Sequence, residues 1–88
     1  MTTTTMHVTI YTAPGCLRCT QTIRRFRQLG VEPDIIDLST TPQLVTQLRQ
    51  QGHHQLPVVT TGTTSWSGFR LDLIRDTAAT MTGEPAAS

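Results

Sequence analysis

Eighty-eight residues, 36% of them hydrophobic and 15% charged, suit one compact folded domain and exclude wholesale disorder. Seven basic residues, all arginine, against six acidic ones leave a net charge of +1, too even for a nucleic-acid binder that relies on a broad basic field. No apolar run reaches the ~18 residues of a membrane span, and Met1 to Thr5 has neither the basic residue nor the apolar stretch of a signal peptide, so a cytoplasmic location is expected.

In chain order, Met6 to Tyr11 alternates as a strand does, with Met6, Val8 and Ile10 on one face. Thr12-Ala13-Pro14-Gly15 breaks the pattern as a loop. From Cys16 the period becomes helical: Cys19, Ile23 and Phe26 share a face, and Gly30 is the expected stop. Val31 to Leu38 reads as a second strand with Pro33 at its start and Ile36 and Leu38 toward the core. Thr41 is the expected N-cap of a second helix, with Pro42 at its first position and Leu44, Val45 and Leu48 as its apolar stripe; Gln50-Gln51-Gly52 ends it. Pro57 to Thr61 is a third strand, Gly62-Thr63 a turn, and Thr64 to Trp66 a short fourth strand. Ser67 is a candidate N-cap for a last helix whose apolar positions are Leu71, Ile74, Ala78 and Met81. The order β-α-β-α-β-β-α predicts a mixed four-stranded sheet with helices on both faces. Residues 1–88 are expected to form a single domain, with 1–5 and 83–88 frayed.

The two cysteines, Cys16 and Cys19, are too few and too close for a disulfide scaffold. Spacing alone leaves open a pair of buried inert thiols. Position favours chemistry instead. Cys16 follows a strand and loop and opens a helix, where unpaired N–H groups and the helix dipole favour a thiolate. Cys19, one turn on, faces inward. The pair thus divides into an exposed attacking thiol and a sheltered resolving one, the arrangement that thiol–disulfide exchange requires. Arg18, between them, adds positive charge or is simply a solvated arginine. A zinc site needs about four ligands, and beyond these cysteines the chain offers only His53 and His54, which are adjacent, and His7, which is distant in sequence, so no metal is expected; His53 and His54 read as solvated loop residues. At Leu56-Pro57 a trans bond would be unremarkable, while a cis bond beside Cys16 would turn the Leu56 main chain toward an incoming extended polypeptide. Trp66 to Arg70 gathers the sole tryptophan and one of two phenylalanines at a strand-to-helix junction: core packing, or a partly exposed docking patch beside an approachable Gly68.

Tyr11-Thr12-Ala13-Pro14-Gly15-Cys16-Leu17-Arg18-Cys19 resembles the active site of the glutaredoxin branch of the thioredoxin fold. Gln55-Leu56-Pro57-Val58-Val59 resembles that branch's cis-proline segment. Trp66-Ser67-Gly68-Phe69-Arg70, followed by Asp72, Leu73 and Ile74, is similar to the signature of the NrdH-redoxins. The resemblance spans about Val8 to Ile74. It implies a dithiol–disulfide oxidoreductase, a protein disulfide reductase that donates electrons to the large subunit of class Ib ribonucleotide reductase, in deoxyribonucleotide synthesis. It also implies reduction by an NADPH-dependent thioredoxin reductase rather than by glutathione. Carried onto this chain, Cys16 is the nucleophile, Cys19 resolves, the two form the redox-active disulfide, and Pro57 is the cis proline. Leu56, Pro57, Trp66, Ser67, Gly68, Phe69 and Arg70 are the expected partner-binding residues. Three departures stand out: Ala13 where family members commonly carry lysine, Leu17 and Arg18 where valine and glutamine are usual, and Leu71 where proline often follows.

Two other functions are compatible with parts of this pattern. A glutathione-dependent glutaredoxin usually presents a Gly-Gly turn followed by acidic residues, and Ser67-Gly68-Phe69 stands there instead. A module holding an iron–sulfur cluster between two protomers often has a single cysteine, whereas this chain has Cys19 as well. A monomer without cofactor is expected.

Overall fold

The computed structural model describes residues 7–62 and 64–82. Its elements are β1 (Thr9–Thr12), α1 (Leu17–Gln28), β2 (Asp34–Asp37), a short 3-10 helix (Leu38–Thr40), α2 (Pro42–Gln50), β3 (Val58–Thr60), β4 (Ser65–Ser67) and α3 (Leu71–Thr82). The strands form one sheet in the order β2-β1-β3-β4. β1 and β2 are parallel, as a strand–helix–strand unit requires, while β3 runs antiparallel to both β1 and β4. This is the mixed four-stranded sheet that the element order predicts and the thioredoxin-like topology that the resemblance implies.

The alternation of the strands divides the core between the two faces. Ile10 opposes Val59, and Val59 opposes Trp66, so three apolar side chains form one row across the sheet. With Val8, Phe26, Val31, Ile74 and Ala78 they make the larger core, beneath α1 and α3. The neighbours Tyr11 and Val58 point the other way, where Leu38, Leu48, Leu44, Val45 and Leu56 cover them from the 3-10 helix, α2 and the loop after it. Phe26 and Ile74 are fully buried, and each contributes roughly 1.5–3 kcal/mol through the apolar surface removed from water.

Where the observed elements are shorter than expected, a competing hydrogen bond is the cause. Val31 does not begin the second strand, because its N–H donates to Phe26 O (2.9 Å) and that of Gly30 to Arg27 O (3.1 Å). These two bonds satisfy carbonyls at the end of α1 and need the left-handed backbone that Gly30 adopts (φ 87°). Pro33 has no N–H to give, so pairing starts with Asp34 N–H on Val8 O (2.8 Å). At the other end, Asp37 diverts the chain: its Oδ1 accepts from Ser39 N–H (2.9 Å) and Ser39 Oγ (2.7 Å), which caps the unforeseen 3-10 helix. Leu38 therefore reaches the core from that helix rather than from a strand. Thr41 holds the N-cap position of α2, but its side chain makes no capping bond. Ser67 is not an N-cap; it lies in β4 opposite Val58. Leu71 opens α3 and is 41% exposed, leaving the buried stripe to Ile74, Thr77 and Ala78. The expectations for Met6, Thr63 and the two chain ends fall outside the described residues.

The capping bonds to Ser39 hold the Asp37 carboxyl below the usual carboxylate range. A lowered native pKa means that this stabilisation is present above the unfolded value of about 4 and is lost as pH falls through the native one. Asp37→Ala is therefore expected to lower the thermal midpoint at pH 7 and to approach the parent as pH falls through the lowered native value, where the parent's carboxylate is protonated as well. Thermal unfolding of the two proteins across pH checks this, and a deficit that persists at low pH contradicts it.

Candidate active site

The reactive end of the molecule is where β1 finishes and β3 starts. Because these strands are antiparallel with Tyr11 opposite Val58, the loop after Thr12 and the segment before Val58 emerge at the same edge of the sheet. One delivers Cys16 and the other Leu56-Pro57, whose peptide bond is cis. Main-chain bonds connect this segment to the signature region: Gly68 N–H donates to Pro57 O (2.8 Å). Gly68 is buried and has a φ of 87°, a conformation that strongly favours glycine. The glycine thus serves the internal joining of two loops.

Cys16 and Cys19 form a disulfide, with their Cα atoms 5.3 Å apart. Cys16 occupies the N-cap of α1, and its Sγ accepts a hydrogen bond from Cys19 N–H (3.2 Å). Its own N–H donates to Ala13 O (3.3 Å), and its carbonyl accepts from Thr20 N–H (3.2 Å). The sulfur thus stands in the place of the oxygen in a serine or aspartate cap. No acidic residue occupies the first turn of α1, so the dipole is not countered there. Cys16 is partly exposed, while Cys19 is 1% exposed among the core residues. Thr22, also buried, returns its hydroxyl proton to Arg18 O (2.8 Å), which removes the need for any other partner inside the core.

The remaining expected site residues divide. Leu56 is half-buried and Pro57 buried. Trp66 is 6% exposed and belongs to the larger core, so its ring packs inside and forms no exposed patch. Phe69 is 39% exposed. Arg70 is exposed and pairs through Nε and Nη2 with the Asp72 carboxylate (3.3 and 3.1 Å), which holds that carboxyl below its ordinary range. Arg18 is exposed, and His53 Nε2 lies 3.3 Å from Ser65 Oγ. Two residues given no role by the sequence pattern belong here. Leu17, 69% exposed and directly after Cys16, is readable only as the outward side of the first turn. Gln55 lines clefts on both sides of the cis-proline segment and had only its place in the Gln-Leu-Pro-Val-Val run to mark it. Among the described residues, no group of three or more His, Cys, Asp or Glu side chains is placed to hold a metal ion, and no helix is long and apolar enough to cross a membrane.

A vicinal cysteine pair at a helix start, beside a cis proline on this sheet, defines a dithiol–disulfide oxidoreductase of the thioredoxin fold, and the glutaredoxin family model matches residues 8–66. Within that class the chain belongs to the NrdH-redoxin family. It is 44% identical over 69 residues to the glutaredoxin-like protein NrdH of Escherichia coli K12, covering 78% of this chain and 85% of the relative. It also superimposes on the solved Escherichia coli NrdH-redoxin with a TM-score of 0.77 at 41% identity, covering 80% of this chain and 92% of that one. That relative is a glutaredoxin-like protein with a thioredoxin-like activity profile. A Brucella melitensis glutaredoxin is more distant, with a TM-score of 0.66 at 26% identity over 90% of this chain and 92% of its own.

The joint between the two loops rests on Gly68. Gly68→Ala meets no close neighbour, the nearest being Gln55 Oε1 at 3.4 Å, so its cost is the backbone conformation alone. A loss of about 1–2 kcal/mol is expected in urea unfolding. An unchanged midpoint would show that the left-handed conformation is not required.

Proposed function

We propose that this chain is a protein disulfide reductase that takes electrons from an NADPH-dependent thioredoxin reductase and passes them to the large subunit of class Ib ribonucleotide reductase. It works in the cytoplasm as a one-domain monomer without added cofactor. The observation that carries the mechanism is the Cys16 Sγ at the N-cap, hydrogen-bonded by Cys19 N–H. In the reduced form that N–H and the helix dipole favour the Cys16 thiolate. The thiolate attacks one sulfur of a substrate disulfide; that S–S bond breaks and the second sulfur leaves as a thiolate that takes a proton. The product is a mixed disulfide with Cys16. Cys19, deprotonated, then attacks Cys16 Sγ, and the substrate's first sulfur leaves and is protonated. Two electrons and two protons have passed to the substrate, and the Cys16–Cys19 disulfide present in the structure remains.

Burial supports this division of labour, since the partly exposed Cys16 meets the partner and the 1% exposed Cys19 waits behind it. The Leu56 N–H and C=O make no hydrogen bond among the described residues, which leaves them available to pair with an extended substrate strand. Leu17 and Phe69 supply exposed apolar surface for docking, while Ser67, Gly68 and Arg70 hold the cis-proline loop and the start of α3 in place. Trp66 acts from within the core by supporting that turn. The thioredoxin-like activity profile of the Escherichia coli relative supports the choice of thioredoxin reductase over glutathione.

Supplying NADPH with thioredoxin reductase, and in a separate reaction glutathione with glutathione reductase, decides between the two electron sources. The first mixture is expected to sustain reduction of a ribonucleotide reductase disulfide. Turnover only in the second would make the chain a glutaredoxin in function. The two cysteine variants should also differ in kind: Cys19→Ser accumulates a mixed disulfide with the client, visible as a shifted band without reductant, while Cys16→Ser gives no adduct and no turnover above background. An adduct on the Cys16 variant equal to that on the Cys19 variant would reverse the roles.

A further inference from the structure

The charges around the cysteine pair are unevenly placed. Two open clefts flank the Gln55-Leu56-Pro57 segment and share Gln55 as a wall. The first, about 380 Å³, lies between the loop before Cys16 and α2; apolar Val45, Leu48 and Leu56 line it together with Arg49, His53 and His54. The second, about 420 Å³, lies between the start of α1 and the β4–α3 junction, with Arg18, Phe69 and Arg70 in its wall. No described carboxylate lines either one.

The acids nearest these clefts are already engaged. Asp37 is occupied by Ser39, and Asp72 by Arg70. Glu32 and Asp34 lie at the opposite end of the sheet, before or at the start of β2, where they face Arg27 and His7. Asp76 lines a separate cleft with Trp66 and Thr77. Arg18 and Arg49, one in each cleft, have no acidic partner among the described residues. A molecule of net charge +1 thus places a cation with no acidic partner in each of the two clefts that share Gln55.

A substrate strand that pairs with the Leu56 main chain lies next to Gln55, the wall that the two clefts share. We infer that the substrate of this site is an acidic polypeptide segment, with Asp or Glu residues on both sides of the disulfide to be reduced. This rests on the disulfide-reductase reading above and adds the charge of the segment. Each contact is exposed and individually weak, so the effect falls mainly on the rate of encounter and on the choice among disulfides.

The test uses the whole chain, pre-reduced, with three disulfide-bridged peptides that differ only in their flanking residues: glutamate, glutamine or lysine. Single-turnover reduction is followed at low and at high salt. At low salt the glutamate peptide is expected to react about tenfold faster than the glutamine peptide, with the lysine peptide slowest. The ratio should fall toward one as added salt brings the screening length below about 8 Å. Arg18→Glu and Arg49→Glu should each lower the glutamate-to-glutamine ratio by severalfold; the ratio is internal to each variant, so a general slowing does not disturb it. Equal rates for the three peptides at low salt, or a preference for lysine, overturn the acidic-substrate inference and leave the reductase reading intact. Failure to reduce any of the peptides removes both.

Discussion

A sulfur atom fills the place that an oxygen usually takes at the start of a helix, and the rest of the structure is arranged around that substitution. The Cys16 Sγ accepts from Cys19 N–H, so the resolving residue's main chain steadies the attacking residue's side chain. The same turn of helix keeps the two sulfurs within bonding reach and puts them in different surroundings, one meeting solvent and one enclosed. Without that asymmetry the pair would be two similar thiols with no order of events.

Placement of this turn depends on packing some distance away. The Ile10–Val59–Trp66 row fixes the register of three strands, and Phe26 and Ile74 press α1 and α3 onto it. The register brings the loop after β1 and the segment before β3 to one edge. The Gly68–Pro57 bond then secures the second of these loops from the far side. Trp66 contributes as the end of the packed row, so the signature segment around it combines a structural residue with the exposed Phe69 and Arg70.

Much of this was legible in the residues themselves. The alternation of Val8 and Ile10, the change of period at Cys16, Gly30 and Gly52 after two helices, and the proline opening α2 are local signals, and local chemistry decides them. The parts that escaped depend on competition or on tertiary context. Asp37 has the composition of a strand end, yet its carboxylate captures Ser39 and starts a 3-10 turn. Val31 has strand propensity, yet its N–H is taken by the end of α1. Leu71 has the helical spacing of a core residue but falls in the first turn, beyond the buried stripe. The cis state of Pro57 was implied by the resemblance and not by local chemistry, and the choice between a packed and an exposed Trp66 is made by neighbours remote in sequence. The same is true of the two arginines without acidic partners, because Arg18 and Arg49 reach the clefts on either side of Gln55 only after folding.

The arrangement makes the acidity of one sulfur its central property. Titrating the reduced protein by thiolate absorbance near 240 nm, with Cys19→Ser to isolate the outer sulfur, measures it directly. A Cys16 pKa clearly below the ~8.5 of a free thiol is the result this account predicts. A value at or above that of a free thiol would mean that the helix start does not hold the anion, and would contradict it.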